Sequence, residues 1–446
     1  MKKLYVCAMA AVLPSCATYR SIPLDTNPMV LAPPVAAILA KDTTAIQRPY
    51  LTPVAVDLSR PLDLNAVALI AIAANPDLKA QRVRAGVSDA QIFDARLLPD
   101  PTFSFGVDKI LSGPDPFSNL MSTIGQELNA LRTRRVRLEG AKAAGRQVRL
   151  DLAWAEWQTA GQAQLQAVRI DALGHVLAIS LARRAAAQDL LDRMLRAAGR
   201  GDLMADQVQA ARIAALDAAE RLRAAEKDEV AARFELTRLL GLPPESILTL
   251  AETPPPLTPP STEKLFAIAK AQRLDLQALQ EGYQSQEAAV HQAVLLQFPT
   301  LNLAITGTRD TGGNKLLGGA VGFTLPLWNR NRGGIAIAQV TRAALKAEFE
   351  ARLFQTRAEI GAAVAGVSLA RRQRAELEAS IPALRRFSEA TARAARRGDL
   401  SNATAQTATD ALRDKELLLV QVNQSIAEQT VALELLTGVP QQDWTP

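Results

Sequence analysis

The chain has 446 residues and a formal net charge of +6, and 48% of its residues are hydrophobic although only 4% are aromatic. Length alone would suggest two or three domains, but few aromatics and abundant alanine favour long, closely packed helices over a thick globular core. Basic residues alternate with acidic ones, as between Arg221 and Glu229, so a solvated helix face explains the charge better than nucleic-acid binding does.

The N-terminus has the features of a targeting segment. Lys2 and Lys3 precede an apolar run from Leu4 to Leu13, which is typical of a secretory signal peptide over residues 1–15. The run ends in Leu-Pro-Ser-Cys, which resembles a lipoprotein cleavage box and predicts lipidation of Cys16. Pro14 departs from the usual small residue, so an ordinary signal peptide cut nearby is the alternative. No run of about 20 apolar residues follows, so no membrane-spanning helix is expected in the mature chain.

Residues 16–60 are rich in proline and small residues, and we interpret them as an extended arm. A first unit, residues 61–250, begins with helices on either side of Asn75. Alternating residues at 102–107 then predict a strand, with a turn at 112–116 and a weaker strand ending near Leu128. A helical pattern from Arg132 to Ala198 would be roughly 100 Å long. Gly201 suits a left-handed cap and Asp202 the N-cap of a returning helix.

The same plan occurs twice. A proline-rich linker at 251–262 precedes a second unit at 263–440 and a tail at 441–446, and its strands are predicted at 299–306 and Gly319–Leu327. Its long helix should run from Arg332 to Arg396 and be kinked by Pro382. Leucine and isoleucine recur every seven residues in its returning helix, the spacing of a coiled-coil seam. The matching segments are Asp77-Leu78 with Asp275-Leu276, Pro101-Thr102 with Pro299-Thr300, and Gly201-Asp202-Leu203 with Gly398-Asp399-Leu400.

The four predicted strands, of about nine to eleven residues, have the length of a tilted bilayer crossing. Each has one apolar face, which suits lipid on one side and water on the other. Four strands cannot close a barrel, and open edges cannot face lipid. The strands are therefore either shared between chains or capping hairpins on a soluble coiled coil, and periodicity alone leaves both possibilities open.

The order of these motifs resembles the outer-membrane factor (TolC-like) family of export ducts, over residues 60–440. The resemblance rests on a lipoprotein-like signal, two helices that begin Asn-Pro-Asp-Leu or Arg-Leu-Asp-Leu, two Leu-Leu-x-x-Pro-Thr entries into strands, and two Gly-Asp-Leu turns. The run from Leu325 to Gly333 is similar to the branch that serves heavy-metal (cobalt–zinc–cadmium type) exporters of the RND class.

The resemblance implies a mainly helical fold with membrane β-structure, in which a long periplasmic α-barrel joins a β-barrel that three chains close with four strands each. It also implies a lipid-anchored channel in the outer membrane of a Gram-negative bacterium. Such a channel gives substrates an aqueous exit path in a tripartite efflux system with a periplasmic adaptor and an inner-membrane RND pump. It would have no cofactor and no enzymatic activity.

The resemblance also marks individual residues. The turns between long and returning helices would contact the adaptor, and acidic residues nine positions earlier, Asp192 and Glu389, would form cation-attracting rings at the pore gate. In each case the alternative is an ordinary structural turn or a surface charge. The residues of the adaptor-contact tips are Gly201, Asp202, Leu203, Gly398, Asp399 and Leu400.

Chemistry-bearing motifs are scarce. The two histidines, His175 and His291, are far apart and have no second ligand at metal spacing, so no metal site is expected. A basic cluster after the second strands, around Arg132 to Arg137 and Arg330 to Arg332, could bind lipid phosphates or simply be solvated. The alternative to the duct is a lipid-anchored periplasmic coiled-coil scaffold that conducts nothing.

Overall fold

The computed structural model describes residues 19–28 and 31–444, so the predicted signal peptide and Cys16 lie outside the described residues. The described chain is mainly helical and carries one small antiparallel sheet. Its elements, in chain order, are α1 (Ala36–Ala45), α2 (Leu64–Ala74), α3 (Pro76–Arg96), β1 (Thr102–Asp108), β2 (Asn119–Glu127), α4 (Asn129–Ala198), α5 (Ala205–Leu239), α6 (Thr262–Gln272), α7 (Leu274–Leu295), β3 (Leu301–Arg309), β4 (Lys315–Phe323), α8 (Arg332–Arg397) and α9 (Asn402–Thr437).

The long helices form a single layer that we call the wall. Near the sheet their order is α3–α4–α7–α8, and towards the helix turns it is α5–α4–α9–α8. The 70-residue helix α4 is about 105 Å long and extends through both halves. It contains an 18-residue window with a mean hydropathy of 1.3, so, contrary to expectation, one described helix could cross a membrane by length and composition alone. Helix α4 has helices on both sides, but only 28% of that window is buried within the chain.

The sheet continues the wall in the same order. Its strands run β1-β2-β3-β4, all antiparallel, and β2 pairs with β3 to join the two units of the chain. β4 differs from the prediction, because it spans Lys315–Phe323 instead of Gly319–Leu327. Thr324 still donates its N–H to the Thr300 carbonyl, but Pro326 has no N–H, and Leu327 donates back to Leu325 in a tight turn. Pairing therefore stops before the predicted end.

The predicted heptad seam of α9 is a packing face. Leu412 and Ile426 are buried with Leu377 and Ile381 of α8, and Leu419 packs at the edge of this cluster. Leu433 is buried in the next cluster, with Ile360. Helix α8 is continuous through Pro382, which lies inside it. The seam holds α9 against α8, as heptad spacing predicts.

The N-terminal arm is attached to the wall through a buried carboxylate. Glu156 of α4 is fully buried and pairs with Arg48 of the arm at 2.6 Å and with Arg82 of α3 at 2.7 Å. Beside it, the ring of Tyr50 meets that of Trp157 edge-on at 4.3 Å, and burial raises the pKa of the Tyr50 hydroxyl. Because these partners are distant in sequence, the network fixes three elements at one point.

Replacing Glu156 with glutamine should lower the free energy of unfolding by about 3 kcal/mol, because two guanidinium groups lose their shared counter-charge. The control is Glu139→Gln, which breaks an exposed pair with Arg135 on one helix and should cost less than about 0.5 kcal/mol. Denaturant unfolding measures the difference, and tryptic cleavage after Lys41 in the arm reports release of the arm. Equal unfolding midpoints and equal cleavage rates would contradict this role.

A second carboxylate, that of the half-buried Glu434, anchors the C-terminal segment. Burial raises the pKa of Glu434 to about 7, against an opposing hydrogen bond from the Gln441 N–H to its Oε1 at 2.9 Å. The Gln441 side chain in turn accepts from the N–H of Leu257 in the linker. Glu434 therefore connects α9, the C-terminal segment and the linker, and its charged form is disfavoured there.

Stability should consequently fall as pH rises. Between pH 4.5 and about 7 the native state binds more protons than the unfolded state, so stability decreases through that window and stays low above it. Glu434→Gln cannot ionise, and it should stabilise the protein at pH 8 by up to about 3 kcal/mol. At pH 4.5 the variant and the parent should have nearly the same melting temperature, and this comparison is the control. A constant difference across this range would contradict the assignment.

Candidate functional site: the sheet and the helix turns

The register of the sheet gathers the apolar side chains on one face. Phe103 is opposite Ile124, Ile124 opposite Ile305, and Leu303 opposite Val321, so most of the large apolar residues of the four strands share a side. Ile305, in the middle of β3, is 63% exposed. The large apolar residues on this face, which we call the apolar face, are Phe103, Phe105, Val107, Leu120, Ile124, Leu301, Leu303, Ile305, Leu317, Val321 and Phe323.

The other face carries small and polar residues at most positions. Thr123 is opposite Thr306, and Thr102 opposite Gly125. Met121 and Leu316 are the larger apolar residues here. The remaining members include Ser104, Gly106, Asn119, Asn302, Ala304, Thr308, Gly318, Ala320 and Gly322. The predicted one-sided strands thus combine into one amphipathic sheet, a surface that separates an apolar environment from water.

Both edges of the sheet and both sides of the wall lack a partner in the described chain. β1 pairs only with β2, and β4 only with β3. The edge helices also expose apolar side chains, such as Val83 and Phe93 on α3 and Ile337 and Val340 on α8. An open edge of unpaired N–H and C=O groups readily pairs with another strand. Completion of this sheet therefore requires further strands.

The predicted tip residues lie at the far end of the wall, where the long helices turn back. Gly201 and Gly398 have φ values of +82° and +86°, the left-handed conformation that ends a helix and favours glycine. Asp202 is not the N-cap predicted for it, because α5 begins after Met204. Its N–H instead donates to the Ala197 carbonyl, and its carboxylate accepts from Arg200 at 3.0 Å.

The second turn has the same construction. The Asp399 N–H donates to the Ala394 carbonyl, and its carboxylate accepts from Arg397 at 2.9 Å. Its returning helix begins after Ser401, whose side chain accepts from the Thr404 N–H. Leu203 is half-buried and Leu400 is 40% exposed. The two turns therefore present similar surfaces built from an Arg-Gly-Asp run.

The two predicted gate acids lie on α4 and α8, which have α9 between them. Asp192 accepts from Gln188 at 2.9 Å and is half-buried, whereas Glu389 is exposed 3.8 Å from Arg393. Asp192 lies three heptads beyond Asp171, which accepts from the N–H of Thr253 in the linker. Residues at heptad spacing share a helix face, so Asp192 lies on the linker side of α4.

The basic cluster beside the sheet caps helix ends. Arg134 donates to the Arg96 carbonyl and Arg137 to the Leu97 carbonyl, at the C-terminus of α3. Arg132 donates to the Pro299 carbonyl and stacks over Phe298, just after α7. Cations are favourable near the negative end of a helix dipole. These arginines thus stabilise the change from helix to strand, a role that the sequence alone did not indicate.

Among the described residues, no group of three or more histidine, cysteine or acidic side chains is placed to hold a metal ion. His175 lies in a cavity of about 370 Å³ beneath the linker, together with Asp171 and Arg374. His291 is on α7, well separated along the chain. The expectation of no metal site in the sequence analysis was based on these two histidines.

No protein-family model matches the sequence, and no curated protein matches it significantly. Solved structures do. The chain is similar to CusC, described with its transmembrane channel formation, with a TM-score of 0.70 and 14% identity over 88% of this chain and 98% of that one. The match to the outer-membrane channel OprN has a TM-score of 0.69 and 17% identity, over 94% of this chain and 99% of that one. The match to the outer membrane protein VceC of Vibrio cholerae has a TM-score of 0.71 and 16% identity, over 84% of this chain and 96% of that one.

These matches extend over nearly the full length of the solved chains. The protein therefore has the outer-membrane channel fold, a long helical layer continued by a small β-domain, as the sequence resemblance implied. OprN is described as an outer-membrane channel, CusC in terms of transmembrane channel formation, and VceC as an outer membrane protein. Their similarity does not distinguish the heavy-metal branch from the others.

Alanine at Gly201 or Gly398 should destabilise its turn by about 1 kcal/mol, because a Cβ is disfavoured at positive φ even where the space is open. Amide hydrogen exchange in the turn should quicken about fivefold, with little change in the wall. The matched control is Gly174→Ala, since Gly174 lies inside α4 and has open space where alanine would place its methyl group, and alanine should slow exchange there. Unchanged exchange at both turns would contradict the assigned strain.

Proposed function

We propose that the protein is an outer-membrane channel for efflux. The observation that carries the proposal is an amphipathic four-stranded sheet with two unpaired edges at the end of a wall about 100 Å long. Backbone groups in lipid must all be paired, so such a sheet can enter a membrane only as part of a closed barrel. The similarity in fold to outer-membrane channels supports the same interpretation.

Three copies would supply three times four, or twelve, strands. In this trimer β4 of one chain pairs with β1 of the next, and the exposed apolar residues of α8 meet those of α3. The contact is head-to-tail, and rotation closes it into a ring. Lipid then meets the apolar face, and water meets the polar face. Joined end to end, the three walls form a helical tunnel beneath the barrel.

The N-terminal arm, α2 and the linker form a layer that covers one side of the wall, and this layer suggests which side faces the lumen. The arm contacts Glu156, α2 contacts Gln164 and the linker contacts Asp171, and these three residues are spaced to share one side of α4. Three such layers inside the tube would fill it, so we assign them to the outside. Gln158, two residues from Glu156 and on the opposite side, then faces the lumen. This orientation favours an outer-surface role for Asp192 over a ring in the pore.

The partners follow from the same orientation. We propose that Gly201, Asp202 and Leu203, with Gly398, Asp399 and Leu400, contact a periplasmic adaptor that connects the channel to an inner-membrane RND pump. Exposed Arg-Gly-Asp turns at the end of the wall suit such a polar contact. We further propose that a lipid on Cys16 attaches the arm to the outer membrane.

The assembly can be measured directly. The protein extracted from outer membranes in detergent should have the native mass of three chains, and it should give discrete conductance steps in a planar bilayer. A monomer or dimer without conductance would overturn the channel and favour the periplasmic scaffold.

The lipid-facing side can be tested with a charge. Ile305→Arg should cost about 2–4 kcal/mol if this residue faces lipid near the middle of the bilayer, and the yield of assembled trimer should fall. Thr306→Arg, one residue along and on the polar face, is the matched control and should assemble. Equal yields from the two variants would contradict the proposed orientation.

A further inference from the structure

Two cations face each other at the outer end of the apolar face. Arg309 and Lys315 form the last register pair of β3 and β4. By alternation from Ile305 and from Leu317 they lie on the apolar side of the sheet. Like charges directly opposite each other destabilise an antiparallel pair, so their placement calls for a compensating anion.

The described part of the chain does not place an anion beside them. Neither Arg309 nor Lys315 makes an ion pair with any residue in the described ranges. Asp310, the nearest acid in sequence, accepts from the backbone and side chain of Asn314, and these bonds hold its pKa below the usual range. Asp115 accepts from the Thr311 hydroxyl at 2.7 Å. The acids of these turns are therefore engaged in shaping the loops.

The Arg309 guanidinium is held in place by stacking, but its hydrogen-bond donors lack acceptors among the described residues. It stacks over the ring of Phe117 at 4.4 Å, which restricts its position. Its Nε is buried and has no hydrogen-bond partner in the described chain. Lys315 beside it is exposed. None of the guanidinium nitrogens of Arg309 hydrogen-bonds to a described residue, so its terminal nitrogens, next to an exposed ammonium group, suit an oxyanion that can accept from both residues.

The distance along the strand indicates the source of the anion. Arg309 is eight residue steps from Leu301, about 27 Å along β3. Strands of an outer-membrane barrel tilt by about 35–45°, so this length corresponds to roughly 19–22 Å across the membrane, against an apolar band about 25 Å tall. With Leu301 near the periplasmic boundary, the backbone of the two cations lies a few Å inside the outer edge of the band, and their long side chains extend to the headgroup level of the outer leaflet.

We infer that Arg309 and Lys315 form a binding site for the phosphate groups of outer-leaflet lipid. This inference rests on the proposed outer-membrane orientation. Arg309 donates to phosphate oxygens through its planar guanidinium, and Lys315 adds a second charge. A phosphate between them also removes their mutual repulsion, so binding stabilises the β3–β4 hairpin.

The test compares the whole protein with Arg309→Gln, Lys315→Gln and the double variant in neutral detergent. Lys227→Gln, which removes one exposed positive charge on α5, is the matched control. The probe is lipid A carrying two phosphates, with the dephosphorylated lipid and inorganic phosphate as comparisons. Bound lipid is counted by native mass spectrometry, and melting temperature is measured with and without each probe.

If the site binds phosphate, the effect of removing a positive charge on the melting temperature should change sign when phosphorylated lipid is added. Without anion, Lys315→Gln should melt at or above the parent, because repulsion is relieved. With phosphorylated lipid the parent should melt higher, and the double variant should bind about tenfold more weakly. Equal binding by the double variant and the parent, or equal protection by dephosphorylated lipid, would overturn the site. Equal protection by inorganic phosphate would overturn the lipid as its ligand.

Conductance in bilayers made only of phospholipid separates this inference from the proposed function. The parent and the double variant should both conduct there. Loss of conductance in both would overturn the channel, whatever lipid they bind. Conductance in both with equal lipid binding would overturn the phosphate site alone.

Discussion

Every polar backbone group that enters hydrocarbon must find a partner, and in the proposed channel the outer edges of β1 and β4 are where the described chain leaves that requirement unmet. The rest of the architecture is consistent with that constraint. The sheet is too narrow to close, most of its large apolar residues lie on one face, and the wall has apolar residues exposed on both edges. A single chain with these features is incomplete, and its missing contacts are those that another copy can provide.

Within the chain, the two units are similar in plan but are not fixed in the same way. The first uses Glu156, which joins the arm, α3 and α4. The second uses Asp275, which accepts two hydrogen bonds from the buried Arg273 at the start of α7. Arg273 also stacks over Trp154 of α4. Each unit thus has a buried ion pair against α4, but only the first binds the N-terminal arm.

The sequence predicted most of the fold because its signals are periodic. Alternation at Phe103, Phe105 and Val107 indicated a strand, and the long helical pattern ending at Ala198 predicted α4 almost to the residue. Local chemistry was less reliable. Aspartate is a residue type favoured at helix N-caps, but the Asp202 carboxylate instead accepts a hydrogen bond from Arg200. The roles of Glu156 and Arg309 were missed altogether, because they depend on partners or strand register that no short window of sequence contains.

The junction between β2 and β3 has a consequence for the origin of the molecule. Here the second strand of one unit pairs with the first strand of the next inside a single chain, as β4 and β1 would between chains in the proposed trimer. The trimer is then a ring of six similar units, of which three junctions are covalently linked and three are not. A gene encoding one unit could have built the same ring from six identical subunits. Duplication and fusion would have halved the number of chains that must meet, and allowed one unit of each pair to acquire the arm.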